Sequence, residues 1–341
     1  MTSRESAGTG ASGLPARGRK GPVLEATVQA FLDGLEADGA VPVHALAFGE
    51  ARQALARMQA GPIFAPPVAV QDVAFPVGPG GSVGVRILRP PDLNGGLPVV
   101  LYLHGGGWVM GGKESHDRLV RELAAGAEAA IVFVDYTLAP EASYPLQNEQ
   151  AYAVLEYVSA HAEALGLDAS RIAVAGDCAG GNMAAALTLL AKRRRGPEIA
   201  FQLLFYPILD DLAGGGSYET FKEGPWLTRQ AMGRALGAVF VEGAARDEST
   251  ALPLRAPLVQ LNDLPEALVI VAENDVVRDE GEAYARKLTE AGVRATCTRY
   301  SGTIHDFVML NALADAPATR SAIAQATAAL TAAFYRGVDR G

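Results

Sequence analysis

Three residues have the types and the chain order for covalent acyl chemistry: a nucleophile at Cys178, a carboxylate at Asp275 and a base at His305. Cys178 stands in Gly176-Asp177-Cys178-Ala179-Gly180, between a short apolar run, Arg171 to Ala175, and an Ala/Leu-rich stretch that begins near Gly180. A strand that turns sharply into a helix around a G-x-nucleophile-x-G core is a nucleophile elbow. The flanking glycines are needed because side chains beside a strained apex would strike the neighbouring strand and helix. A cysteine there has its sulfur at a helix N-terminus and within reach of a histidine, and both favour the thiolate, the form that attacks.

Asp275 follows the apolar run Ala267 to Ala272 and so falls at the same end of a sheet as the elbow. It is the first candidate for the acid that orients a histidine. Asp279 is the runner-up, because at the start of the next helix a carboxylate is already explained by capping. His305 lies in Gly302-Thr303-Ile304-His305-Asp306-Phe307, after the last strand. A lone loop histidine is commonly just an exposed polar residue, but nucleophile, acid, then histidine is the order of a triad built on an elbow. His44, His116 and His161 have no comparable context.

A further stretch, His104-Gly105-Gly106-Gly107-Trp108, follows a strand and can present several backbone N–H groups unobstructed by side chains, as an oxyanion hole requires. The competing reading is an ordinary glycine-rich turn, which the elbow downstream makes the weaker one. His104 itself reads as a hydrogen-bonding residue that shapes the loop rather than as a proton carrier.

The elements that must hold these groups alternate. Val73 to Val77 and Val83 to Leu88, separated by Gly78-Pro79-Gly80-Gly81, read as a hairpin. Strands come next at Val99 to Leu103, Ile131 to Asp135, Arg171 to Ala175, Phe201 to Tyr206, Ala267 to Ala272 and Arg294 to Tyr300, most of them short apolar runs, with helical patterns between them. Eight strands alternating with helices imply an α/β fold with a largely parallel sheet covered on both faces. Before the sheet, Leu24, Val28, Phe31 and Leu35 recur at helical spacing, as do Phe48, Ala51, Leu55 and Met58. After the sixth strand a segment of about 207–254, containing Trp226 and a helical stretch from Thr228 to Val241, interrupts the alternation. Residues 1–22 read as a mobile tail, 23–66 as N-terminal helices and 67–341 as the main domain. The last helix is expected to be capped by Asp315 and started by Pro317.

Composition narrows the function. The 341 residues carry 49% hydrophobic and 20% charged side chains and a formal charge of -9, enough for a large core and too acidic for a nucleic-acid partner. No apolar stretch approaches the ~18 residues of a membrane span. Only two cysteines occur, Cys178 and Cys297, so a disulfide framework is not expected and a reducing, cytoplasmic setting fits.

HGGGW at His104, DYTLAPE at Asp135, GDCAGG at Gly176, YPILD at Tyr206, ENDVVRDEG at Glu273 and H-x-F at His305 together resemble the hormone-sensitive lipase family of α/β-hydrolases, the bacterial family IV esterases. The resemblance runs from about Phe75 onward. It implies an α/β-hydrolase fold, a mostly parallel eight-stranded sheet with a helical cap built from the N-terminus and the insertion. It also implies a carboxylic ester hydrolase without cofactor or metal that prefers short or medium acyl chains. Position by position it makes Cys178 the replacement of the family's serine, Asp275 the acid and His305 the base. The oxyanion donors would be two amides among Gly105, Gly106 and Gly107, together with Ala179. Trp108, Tyr206 and Trp226 are the expected substrate-pocket residues. The chain departs from the pattern at Cys178, at Thr137 where arginine is usual, and at Val276 where proline is usual.

Cysteine in place of serine makes the intermediate a thioester, and the group that breaks it down sets the activity. Water gives an ester or thioester hydrolase, the leading expectation; a bound amine, alcohol or thiol gives an acyltransferase. A binding protein on a retired hydrolase fold is third, since it would have no use for both His305 and Asp275. The substrate is thus a small acyl ester or thioester, with oligomeric state open between monomer and homodimer.

Overall fold

A strand buried on both faces cannot alternate apolar and polar residues, and Leu97–Leu103, sequence LPVVLYL, is buried at every position. In the computed structural model, which describes residues 21–336 apart from 92, 94, 212–215 and 242–245, this segment is β3. Most of the expected tail thus lies outside the described residues. The sheet contains β1 (Ala69–Phe75), β2 (Val83–Arg89), β3, β4 (Ala130–Asp135), β5 (Leu167–Asp177), β6 (Phe201–Phe205), β7 (Glu266–Asn274) and β8 (Ala295–Ile304). Their spatial order is β1-β2-β4-β3-β5-β6-β7-β8. The pairs β1–β2 and β2–β4 are antiparallel and every other pair is parallel, so the fold is the α/β-hydrolase type. The two edge strands, β1 and β8, are the ones whose side chains are mostly not buried, as an edge facing water should be.

Helices supply the crossovers. They are α1 (Ala26–Ala37), α2 (Phe48–Gln59), α3 (Asp117–Ala127), α4 (Leu146–Ala160), α5 (Ala179–Arg194), α6 (Gly216–Thr220), α7 (Arg229–Val239), α8 (Leu258–Leu261), α9 (Arg278–Glu290) and α10 (Pro317–Phe334). Helix α3 packs on α10, and α4 on α5. Buried on almost every side as far as Ala191, α5 is the helix that the elbow feeds. Pro317 does open α10, but the residue before it in cap position is Ala316, with no side-chain cap, so Asp315 does not serve as one. No helix among the described residues is long and apolar enough to cross a membrane.

The segment after β6 is moored by a buried carboxyl. Glu280 on α9 accepts the amides of Leu209 at 2.6 Å and Asp210 at 3.0 Å, and shares a 2.5 Å hydrogen bond with the Tyr218 hydroxyl. Burial outweighs those donors and pushes its carboxyl up to about 8 from 4.5. Between those values the folded chain holds a proton that the unfolded chain has lost. The contribution of Glu280 to stability is therefore fully present below about pH 4.5 and should be lost at up to about 1.4 kcal/mol per pH unit as pH rises toward 8. Glu280→Gln, which mimics the protonated form, is expected to flatten that slope in denaturant titrations across pH. Equal slopes in both proteins would show that Glu280 is ionised in the fold.

Candidate active site

β5 ends at Asp177, α5 begins at Ala179, and Cys178 between them has φ 54° and ψ -117°. A non-glycine residue held there costs on the order of 1–3 kcal/mol, so the turn must be over-determined by its surroundings. A Cβ on Gly176 would run into the Gly180 carbonyl, and one on Gly180 into the Leu103 carbonyl of β3. The Cys178 amide donates to the Phe205 carbonyl at 2.9 Å, which pins the apex to β6. Cys178 is buried, with its side chain lining a cavity of about 420 Å³.

His305 follows β8 directly and Asp275 follows β7, two adjacent parallel strands, so both reach the same end of the sheet. Asp275 Oδ2 lies 2.7 Å from His305 Nδ1, and Asp275 Oδ1 accepts the Val277 amide at 3.1 Å. Asp279, the runner-up acid, instead accepts the Ser217 amide at 2.8 Å and pairs with Arg278. The other ring nitrogen of His305, Nε2, is buried without a hydrogen-bond partner. Sγ of Cys178, a ring nitrogen of His305 and a carboxylate oxygen of Asp306 all lie within 4.8 Å of one another. Burial works against the imidazolium. The charges of Asp275, Asp306 and Cys178 and the Asp275 hydrogen bond outweigh it, and raise His305 well above an ordinary histidine.

The glycine loop divides its amides. Gly105 donates to Asp177 Oδ1 at 3.0 Å, so its N–H is consumed and it is not an available oxyanion donor. The amides of Gly106, Gly107 and Ala179 enter no hydrogen bond with another described residue, and Gly106 and Gly107 line the cavity with Cys178. Gly106 has φ 101°, and a Cβ there would strike the Met110 carbonyl. His104 stacks on Tyr136 at 4.2 Å, and burial with the neighbouring His116 pushes its imidazole down to about 3, so it stays neutral.

Of the three expected pocket aromatics, only Trp226 lines the cavity. Trp108 is 2% exposed and packs edge-on against Phe240, in the core rather than on a pocket floor. Tyr206 is fully buried with its ring 4.7 Å from that of His305, so it supports the histidine from beneath instead of meeting the cavity. The remaining wall comes from α1, α2 and α7, through Leu32, Leu35, Phe48, Leu55, Met232 and Ala235 among others. Helix α2 is tied to the loops beneath it: Arg52 donates to the Val109 and Ala139 carbonyls, and Gln59 to the Ser115 and Met309 carbonyls.

Two polar groups at the site belong to no role that the sequence motifs assign. Asp306 faces the cavity, with Oδ1 3.5 Å from His305 Nε2 and Oδ2 accepting the Trp226 indole N–H at 2.9 Å. Burial raises its carboxyl above the usual carboxylate range, against the opposing pull of His305 and of Trp226. Asp177, the residue before Cys178, accepts Tyr102 and Gly105 and lies 3.3 Å from His116 Nε2. Burial would raise this carboxyl too, but His116 and the Tyr102 hydroxyl hold it below the usual range. Asp177 thereby ties the elbow to the glycine loop. Their adjacency to Cys178 and His305 is the only signal of them in the sequence.

The sequence model of the alpha/beta hydrolase fold family matches residues 100–309. Carboxylesterase NlhH of Mycobacterium tuberculosis is 40% identical over 256 residues, covering 74% of this chain and 79% of its own length. The ethyl acetate hydrolase of Pseudomonas putida is 33% identical over 299 residues, 86% of this chain and 93% of that one. Among solved structures, a thermostable esterase from Pseudomonas putida ECU1011 is similar with a TM-score of 0.89 and 42% identity, over 92% of this chain and 98% of the other.

Proposed function

The chain belongs to the alpha/beta hydrolase fold family, and from that premise we propose that it hydrolyses small carboxylic esters or thioesters through a covalent acyl-enzyme on Cys178. The observation that carries the reading is the His305–Asp275 pair at 2.7 Å, with Cys178 and the unpartnered His305 Nε2 at the base of a largely apolar cavity. The relatives' names, carboxylesterase and ethyl acetate hydrolase, support the same reaction class.

In this mechanism the Cys178 thiolate attacks the acyl carbon, and the carbonyl oxygen gathers negative charge that the amides of Gly106, Gly107 and Ala179 stabilise. Collapse breaks the ester C–O bond, and the departing alkoxide takes the proton on His305 Nε2. The acyl group is then a thioester on Sγ. Neutral His305 takes a proton from water as its oxygen attacks; the second tetrahedral intermediate expels the thiolate, and the carboxylic acid leaves. Asp275 orients the ring through Nδ1 and stabilises the imidazolium in both halves. The N-terminal helices and the segment carrying Trp226 and α7 act as a cap whose apolar faces receive the acyl or alcohol part of the substrate. A cavity of about 420 Å³ suits short or medium groups.

An acyl-donor panel, assayed with and without added amines, alcohols and thiols, tests the reading. The expected product is free acid at a rate indifferent to the additives, with a quenched acyl adduct mapped to Cys178. Product that forms only with an added acceptor would make the chain an acyltransferase, and absence of any adduct on Cys178 would remove the covalent mechanism.

The two thiols should differ sharply toward alkylating agents. Cys297 is exposed on β8, yet packing around its sulfur, with the Glu282 charge, pushes the thiol up to about 11, so it stays protonated and unreactive near neutrality. Cys178 is the more buried residue, but it opens onto the cavity. Limited treatment with iodoacetamide is expected to label Cys178 first, with loss of turnover in step, as read by peptide mass spectrometry. Preferential labelling of Cys297 with activity intact would sink the assignment.

A further inference from the structure

We propose that Cys178, His305 and Asp306 form a three-donor site for Zn²⁺ that opens onto the substrate cavity, and that zinc bound there reversibly blocks the nucleophile. This goes beyond hydrolysis, since it assigns the site a metal ligand and gives Asp306 a use that the acyl chemistry does not.

The donor types fit. Thiolate and imidazole are the ligands zinc prefers, and three protein donors with a fourth position facing solvent is the usual open arrangement. Serine in place of Cys178 would remove the soft donor, so the site exists only because this chain has cysteine at the elbow. The spacing fits as well. With Zn–N and Zn–O bonds of about 2.0–2.2 Å, tetrahedral geometry sets the two donor atoms about 3.4 Å apart. His305 Nε2 and Asp306 Oδ1 already lie 3.5 Å apart. Sγ of Cys178 is within 4.8 Å of a ring nitrogen of His305 and a carboxylate oxygen of Asp306, so at most about 1.2 Å of closure reaches the separation that a Zn–S bond of about 2.3 Å imposes.

An independent feature points to a ligand. His305 is 1% exposed, and its Nε2 is aimed into the site with no hydrogen-bond partner. Metal-bound histidines usually give their other nitrogen to a carboxylate, and His305 Nδ1 is 2.7 Å from Asp275. Asp306 has an outer partner too, since its second oxygen takes the Trp226 indole N–H. Charge is also balanced: a thiolate and a carboxylate around a divalent ion leave no net charge to be buried.

Titration of the full chain with Zn²⁺ against a chromophoric chelator, without substrate, reads the site directly. One equivalent is expected to bind and to protect Cys178 from alkylation. Cobalt should give a thiolate-to-metal absorption that Cys178→Ala abolishes. Trp226→Phe should weaken affinity by about 10–100-fold, the usual cost of an outer-shell loss, and Cys178→Ala and Asp306→Asn by more. Cys297→Ser should bind as the parent does. Thermal melts without metal check that each variant folds. Parent-like affinity in either Cys178→Ala or Asp306→Asn, or loss of binding in Cys297→Ser, overturns the site. Because the readout uses no substrate, a chain that hydrolyses esters yet binds no zinc loses this inference and keeps the hydrolase reading.

Discussion

Replacing His305 by alanine is expected to lower kcat for ester hydrolysis by about 10⁴–10⁶-fold while leaving the protein folded. In the proposed mechanism the residue serves both halves of the reaction, giving a proton to the leaving alkoxide and then taking one from water. Three other histidines are too far away to substitute: His104 and His116 lie behind the glycine loop, against Phe133, and His161 stacks on Tyr157. Asp275→Asn should cost about 10⁴-fold, because the ring loses its orienting carboxylate but keeps its place. Residues that act as a unit are not additive, so Cys178→Ala combined with His305→Ala should be no slower than either alone. Steady-state kinetics with a chromogenic ester, with circular dichroism to check folding, make the comparison. If His305→Ala retained activity within tenfold, proton transfer would have to be reassigned, and Asp306, 3.5 Å from Nε2, would be the first group to test.

The order and neighbours of the functional groups are legible in the sequence wherever the chemistry is local. The elbow is five consecutive residues, and its glycines announce a backbone that no Cβ could share. Asp275 can be placed because it comes after an apolar run, and His305 by its order after the acid and the last strand, since parallel strands deliver the residues at their carboxyl ends to one end of the sheet. Contacts made across the sheet are not legible. Gly105 reads as one of three equivalent glycines until Asp177, 72 positions away, is seen to take its amide. Trp108 and Tyr206 are large aromatics beside motifs, which suits a pocket and a core equally. Their fate depends on the groups that pack above them: Phe240 over Trp108, and the His305 ring over Tyr206. Asp306 carries no signal of its own because its meaning comes from Trp226, on a segment 80 residues before it. That indole also meets Phe31 of α1 at 5.5 Å, so both outer segments converge on the residue beside the histidine.

A Cys178→Ser substitution is expected to move the acid limb of the pH–rate profile upward, and the structure gives the reason. Asp275 and Asp306 help to raise His305 well above an ordinary histidine against the cost of burial, and so favour the charged ring. A serine hydroxyl can attack only when a neutral ring takes its proton, so the active fraction of the serine variant falls about tenfold per pH unit below that raised value. A cysteine that passes its proton to the ring attacks as a thiolate–imidazolium pair. In the proposed mechanism such a pair would keep acylating on the acid side of the ionisation that limits a serine. Removing the thiolate also removes one of the charges that hold the imidazolium, which shrinks the shift, but both carboxylates remain. The substitution shortens the nucleophile as well, and displacement by as much as ~1 Å can cost about 100-fold in rate. The expected outcome for an ordinary ester is therefore a slower enzyme with its acid limb at higher pH, read from kcat/KM between about pH 5 and 9. A serine variant that is faster by orders of magnitude would mean that the oxyanion donors at Gly106, Gly107 and Ala179 are set for oxygen. Cysteine at the elbow would then slow deacylation rather than drive the reaction, and the site would work as a plain carboxylesterase once serine is restored.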